Sequence, residues 1–289
     1  MDPTPDMIPQ SEISQPVQLE TGWVSETGRR HSENQDRCLI IRAGVNGGVF
    51  GSRDVLAGGL YHDLVMNTAN GSQGLRERSL NVIIAADGIG GNVGGDRAAI
   101  IGLQRFVITL GEETLRNGEA SVYVERSLQD SAQRANADIN SDTRAARRHE
   151  DIRTDDRQGT TIAGLVVREK DWFAFGAGDS RVYLLDKQRF RQLTTDHVNE
   201  VGHLTRCLGT EHGSAELDIV TGQNRPGQTF LVCSDGLTKK VEAEEIREIL
   251  ERNKDPQQAA EELKQAALAK GELDDITVLV VGMEAVESE

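Results

Sequence analysis

The order in which strand-like and helix-like runs follow one another does most to narrow the fold of this chain. Short apolar runs of strand type come first, at Leu19 to Ser25, Arg37 to Ala43 and Asn81 to Ala86. Two helical stretches follow. Ala98, Ile101, Leu103 and Phe106 open one, and Leu128, Ala132, Ala135 and Ile139, at spacings of 4, 3 and 4, line one face of the other. Next come Thr160 to Val167, Trp172 to Gly176, Arg181 to Leu185, Arg189 to Leu193 and Thr229 to Cys233, several joined by two to five residues, as antiparallel hairpins require. Helices at Val241 to Glu251 and Pro256 to Ala269, the latter with Pro256 in its first turn and Gly271 as its stop, precede a last strand at Ile276 to Val281. Strict βαβα alternation is missing, so a parallel sheet is not expected. The order predicts an α+β chain built as a four-layer αββα sandwich, two mostly antiparallel sheets flanked by helices.

Three segments stand outside this pattern. Residues 1–17 hold Pro3, Pro5, Pro9 and Pro16 of the six prolines and few large apolar groups, so they read as a flexible tail, leaving a single domain over 18–284. Residues 44–78 are Gly-rich and, at 35 residues, too long for an ordinary connection, which marks an insertion that is either functional or disordered. Residues 143–158 are dense in charge and read as a solvated helix end and loop.

A formal charge of −15 argues against nucleic acid or an anionic membrane as partner, since both need clustered Lys and Arg. No run reaches the roughly 18 apolar residues of a membrane helix, and the start MDPTPDMIPQ has neither the basic flank nor the apolar stretch of a signal peptide. The expected location is cytoplasmic. Cys38, Cys207 and Cys233, odd in number and set in apolar or mixed runs, read as reduced core thiols in a reducing compartment.

Chemistry is concentrated in acidic residues at strand ends. Asp87 follows NVIIAA and precedes Gly88, Asp235 follows TFLVCS and precedes Gly236, Asp36 closes ENQD before RCLII, and Asp274 stands before DITVLVV. One Asp-Gly pair alone is a common turn dipeptide. Four acids delivered to one rim would repel one another at several kcal/mol per unpaired buried charge, a cost that a hard divalent cation removes. Oxygen donors without a matching His or Cys cluster favour magnesium or manganese over zinc. Two such ions, about 4 Å apart, suit hydrolysis of a phosphate ester by water activated to hydroxide.

The runs GRRHSENQD (28–36), AADGIGG (85–91), GTT (159–161), GAGDSRVY (176–183), QLTTDH (192–197), TRCLG (205–209), SDGL (234–237) and DDITV (274–278) together resemble the successive signatures of the metal-dependent protein serine/threonine phosphatases of type 2C, the PPM family, in bacterial-like form. The resemblance implies removal of phosphate from phosphoserine and phosphothreonine of proteins, opposite a serine/threonine kinase, by a hydroxide bridging two Mn2+ or Mg2+ ions. Asp87 would bridge both ions, with the Gly88 carbonyl on one, and Asp235 and Asp274 would complete the other. Asp36 would hold metal-coordinated water and fix the nucleophile. Asp156, three residues before Gly159, would join Asp235 around a weaker third ion. The GDSR run resembles an internal hairpin turn beneath the site, with a structural role.

This chain departs from the family pattern at several positions. The family's phosphate-binding arginine falls at His31 here, so its role is carried to the neighbouring Arg30. Gln35 stands for a frequent glutamate, Asp275 for a frequent asparagine, and Ile89 leaves no histidine at that position to act as general acid. Only 198-VNEVGHL-204 stands where many members carry a flap of some tens of residues over the cleft. These departures leave two alternatives: a catalytically weak phosphatase-fold regulator or sensor that binds a kinase or ligand, and a hydrolase of small phosphorylated metabolites.

Overall fold

The computed structural model describes residues 17–41, 49–51, 80–89, 94–117, 121–148, 158–187, 189–209 and 215–286. Residues 1–16, nearly all of the Gly-rich 44–78 segment, and Asp156 lie outside them. Among the described residues twelve strands form two sheets: β1 (Val17–Glu26), β2 (Asp36–Ile41), β3 (Val49–Gly51), β4 (Asn81–Ile89), β5 (Gly159–Thr160), β6 (Ile162–Val167), β7 (Asp171–Ala177), β8 (Arg181–Asp186), β9 (Arg189–Gln192), β10 (Asp218–Gln223), β11 (Thr229–Cys233) and β12 (Ile276–Ala285). The first sheet runs β1-β12-β11-β8-β9, the second β10-β7-β6-β4-β2-β3 with β5 beside β4. Every described pairing is antiparallel.

Among the described residues five helices cover the sheets: α1 (Gly95–Asn117), α2 (Ser121–Arg148), α3 (Asp235–Thr238), α4 (Ala243–Arg252) and α5 (Pro256–Ala269). The layers explain why the strand runs are apolar without alternation, since a strand buried on both faces needs apolar residues at successive positions. Cys38, Ile40, Ile83 and Ala85 point into the core between the sheets, meeting Val182, Leu184, Phe230 and Leu279. Their neighbours Leu39, Ile41, Val82 and Ile84 point the other way, into the core under α1 and α2. There Phe106 of α1 stacks on Phe175 of β7 with ring centroids 5.2 Å apart. Leu128, Ala132, Ala135 and Ile139 of α2 are all buried in that core, and fully burying a side chain such as Leu128 or Ile139 stabilises by roughly 1.5–3 kcal/mol. A third core lies between α3, α4 and α5 and the outer face of the β1-containing sheet. The order is helix, sheet, sheet, helix, the expected αββα sandwich.

Local signals set the helix ends. Asp255 caps α5, accepting from the Gln257 N–H at 2.7 Å, and Pro256 opens the helix where its missing N–H is not needed. Past its end Gly271 adopts φ +78°, a left-handed conformation that glycine takes without strain. All three cysteines are buried, and none of them is in a disulfide.

Some boundaries differ from the sequence reading. β4 continues through Asp87 and Gly88 to Ile89, so Asp87 is inside a strand and not after it. Within the Gly-rich segment, Val49–Gly51 forms a strand paired with β2, so at least this part joins the sheet. Leu193 falls just past β9, its N–H donating to the Val182 carbonyl at 2.7 Å. β10 and the one-turn α3 carry no apolar periodicity that could have announced them. The charged 143–158 stretch begins as the last turn and a half of α2. Among the described residues no helix is long and apolar enough to cross a membrane.

Candidate metal centre

Both sheets contribute to one acidic rim. In the β2–β4 ladder Asp36 stands directly opposite Asp87, which places the two side chains on one face of that sheet. From the other sheet come Asp235, first residue of α3 after β11, and Asp274, two residues before β12. The Ser234 hydroxyl ties the sheets together, donating to Asp36 Oδ2 at 2.6 Å while its oxygen accepts the Thr277 N–H at 3.0 Å.

Close backbone approach makes this convergence possible. A Cβ on Gly236 would sit 2.0 Å from the Asp275 carbonyl oxygen, so only glycine lets α3 start against β12. A Cβ on Gly88 would meet the Gly95 backbone at 2.3 Å, where α1 begins. The remaining motifs hold these segments in place. Thr161 Oγ1 accepts the Asp87 N–H at 2.9 Å, the Thr160 hydroxyl donates to the Asp87 carbonyl at 3.0 Å, and Thr161 shares a 2.7 Å hydrogen bond with Ser180. His197 Nδ1 accepts the Gly178 N–H at 3.1 Å, which leaves Nε2 to donate to Asp218 at 2.9 Å. Asp218 also accepts from Arg206 at 2.6 Å, so the QLTTDH and TRCLG runs brace the turn that carries Asp179.

The electrostatics are those of crowded, poorly compensated carboxylates. Burial, with the charges of Asp275 and Asp235, raises Asp36 from 3.8 to about 7, against the hydrogen bonds of Ser234 and Thr277. Burial and the charges of Asp36, Asp235, Asp179 and Asp274 raise Asp87 well above its ordinary value. Asp179 rises to about 6, through burial first and Asp235 next. At Asp235 burial wins over the nearby Lys239, and the carboxyl is raised. Burial also works upward on Asp274, but the hydrogen bond and charge of Lys239 outweigh it and the carboxyl sits below its ordinary value. Asp36 Oδ1 is buried with no hydrogen-bond partner, and no cation among the described residues pairs with Asp36 or Asp87.

The structure thus brings Asp36, Asp87, Asp235 and Asp274 together, with Gly88 beside Asp87. Asp156 cannot be placed, as it lies outside the described residues. Arg30 reaches Asp274, with Nη1 3.0 Å from Oδ2, and its side chain is 59% exposed. His31, at the family's arginine position, instead binds Asp275 through Nδ1 at 3.0 Å. Asp275 also accepts the N–H groups of Gly28 and Gln35, each at 2.7 Å, so this buried carboxylate clasps the GRRHSENQD loop onto β12. The ligand atoms of His31, Asp274 and Asp275 lie within 4.8 Å of one another, but Asp275 already holds the N–H groups of Gly28 and Gln35 and the His31 ring. Gln35 is buried next to Gly95. Residues 198–204 close as a tight turn, Val198 bridging to Leu204 and the Asn199 side chain accepting the N–H groups of Val201 and His203.

Glu272 and Lys239 escaped the sequence reading, and Asp179 and Asp275 entered it only as a turn residue and a replaced asparagine. Asp179, in the GDSR turn, adds its charge to Asp87 and feels that of Asp235, while Ser180 of the same run ties the turn to Thr161. Glu272 accepts the N–H groups of Leu273 and Asp274 through Oε1, both at 2.8 Å, while its buried Oε2 has no partner. Asp275 is the clasp described above. Lys239 places Nζ 2.6 Å from Asp235 Oδ2 and 2.9 Å from Asp274 Oδ2, and its spacing of four from Asp235 was the available signal.

Comparison with known proteins gives the family and supports the fold. The family model described as protein phosphatase 2C matches residues 70–270. The serine/threonine phosphatase stp of Listeria innocua is 32% identical over 219 residues, covering 69% of this chain and 83% of its own. Among solved structures, PppA of Pseudomonas aeruginosa superposes with a TM-score of 0.65 at 23% identity, over 93% of this chain and 99% of its own. The catalytic domain of the serine/threonine protein phosphatase PstP, solved in complex with two manganese ions, gives a TM-score of 0.64 at 22% identity over the same shares. At those identities the two structures speak for the fold. The family match covers more than half of the chain, and with it the chain belongs to the protein phosphatase 2C family, as a protein serine/threonine phosphatase of bacterial type.

Proposed function

We propose that residues 18–284 form one catalytic domain that hydrolyses phosphoserine and phosphothreonine of proteins at the Asp36, Asp87, Asp235 and Asp274 rim, with two Mn2+ or Mg2+ ions held there. The observation that carries this reading is the buried, unpartnered Asp36 Oδ1 among carboxylates raised by burial and by one another's charge. Such a group is stable at neutral pH only when protons or cations enter it, and an all-oxygen donor set suits hard divalent ions. The manganese-bound PstP domain, of like fold, supports the same choice.

When bound, the two ions supply hydroxide from water at neutral pH and offset charge on the phosphate oxygens. Within the chain, Asp87 holds the centre, Gly88 offers its carbonyl, and Asp235 and Asp274 hold the side toward β12. Asp36, fixed by Ser234 at 2.6 Å, orients the attacking water and takes up its hydrogen bond. By the family resemblance Asp156 would join Asp235 in holding a weaker third ion. Arg30, exposed at the rim, anchors the substrate phosphate through its guanidinium. The substrates are phosphorylated by a serine/threonine kinase in the cytoplasm.

The test is release of phosphate from phosphoserine and phosphothreonine peptides by the purified chain. Turnover with manganese, none with a chelator and none in Asp87→Asn is the expected result. Manganese binding without turnover would point instead to a phosphatase-fold regulator, and faster turnover of sugar phosphates to a metabolite hydrolase.

A further inference from the structure

Lys239 occupies an unusual position for a lysine in a site that has to take up divalent cations. It follows Asp235 by four residues, one helical turn on, so its side chain returns over α3 to that carboxylate. Nζ lies 2.6 Å from Asp235 Oδ2 and 2.9 Å from Asp274 Oδ2, spanning two of the acids assigned to metal. The backbone beneath it is fixed: the Lys239 N–H donates to the Asp235 carbonyl at 2.8 Å, and Gly236 is pressed against Asp275. The side chain is not, being 41% exposed at the end of a four-carbon stem. Arg30 meets the same Asp274 oxygen at 3.0 Å, so two cations of the chain converge on it. The inner acids have no such partner: Asp36 and Asp87 pair with no cation among the described residues.

We propose that Lys239 is a tethered counter-ion that fills the Asp235–Asp274 half of the centre in the metal-free protein and must swing outward before a divalent ion can bind there. This rests on the metal reading given above and adds to it a competition within the chain. Metal binding exchanges two short ion pairs for coordination, and the displaced ammonium remains nearby as a like charge. Both effects weaken the apparent affinity and couple occupancy to the concentration of free metal. The protein thereby keeps its outer acids compensated when metal is scarce, and yields them only when metal is abundant.

Titration calorimetry of Mn2+ into metal-free full-length chain tests this, using wild type, Lys239→Met, Lys239→Gln and Lys239→Arg. Lys239→Met keeps the stem and removes the charge; its affinity for Mn2+ should rise about tenfold. Lys239→Gln should move in the same direction, and Lys239→Arg, which keeps a cation, should stay at or below the wild-type affinity. In chelator the melting midpoint of Lys239→Met should fall, because two carboxylates lose their counter-ion. Unchanged or weaker Mn2+ binding in both neutral variants would overturn the proposal while leaving the metal site in place. Absence of binding in the wild type and every variant would overturn the metal reading itself, and this inference with it.

Discussion

Asp36 and Asp87 stand directly opposite each other on neighbouring antiparallel strands, two carboxylates on one face of a ladder where cross-strand partners are ordinarily apolar or oppositely charged. The fold tolerates the pair through protons or cations, and the expected behaviour of the protein follows from that.

Stability without metal should fall as pH rises. The folded-state value of Asp36, about 7, exceeds the unfolded value near 3.9, so the folded state binds the extra proton. That stability is complete below about pH 4 and is lost as pH rises through about 7, with Asp179 adding a loss through about 6. Between pH 6 and 8 the Asp36 contribution alone falls by about 1 kcal/mol, a drop in melting midpoint of roughly 2–4 °C. Thermal melts in chelator should show the decline, and saturating manganese should flatten it. A midpoint that climbed from pH 6 to 8 in chelator would contradict the assignment.

Replacing one inner acid should separate stability from activity. Asp36→Asn keeps an acceptor for Ser234 and removes an uncompensated charge. At pH 8 without metal it should stabilise the chain by about 1–3 kcal/mol, yet lower phosphopeptide turnover by about 10- to 100-fold. Melting curves and initial rates on the same preparation check both halves.

Arg30→Ala should raise KM for a phosphopeptide several-fold with a smaller change in kcat, as expected for loss of a phosphate anchor at an exposed position. His31→Ala should act differently, loosening the 28–36 loop from Asp275 and lowering thermal stability as well as turnover. If His31→Ala alone raised KM and Arg30→Ala were neutral, the phosphate role would belong to His31.

Gly236→Ala should be severe for so small a change. Its Cβ would lie 2.0 Å from a backbone oxygen that a side-chain rotation cannot move, so α3 or the start of β12 has to shift. A destabilisation of about 1–3 kcal/mol is expected together with weaker manganese binding. Alanine at Gly227, where a Cβ meets nothing within 4 Å but φ is +84°, serves as a comparison in which backbone strain acts without the clash.

Much of this architecture was legible because burial on two faces writes uninterrupted apolar runs, as in RCLII and NVIIAA, and because helix ends carry chemical signals such as Asp255, Pro256 and Gly271. β10 escaped because it is an edge strand with no buried residue, pairing among the described residues with β7 alone, so no apolar pattern marks it. β3 escaped for a similar reason, being three residues in a Gly-rich stretch. The acids at strand ends were legible one by one. What sequence could not supply was who faces whom: Asp179 looked like a turn residue until Asp235 was placed across from it, and Asp275 looked like a replaced asparagine until the N–H groups of Gly28 and Gln35 converged on it. Lys239 was readable as an i,i+4 partner of Asp235, but its second contact, to Asp274, depends on the pairing of β11 with β12.

The central claim is that strand ends from two different sheets form a common oxygen-lined centre for divalent ions. Anomalous diffraction from a crystal soaked in manganese tests it most directly. Two peaks beside Asp87, one also touching Asp235 and Asp274, with the Lys239 ammonium displaced, is the predicted map. A map at saturating manganese with no peak between these carboxylates, or with manganese only at His31 and Asp275, would contradict it.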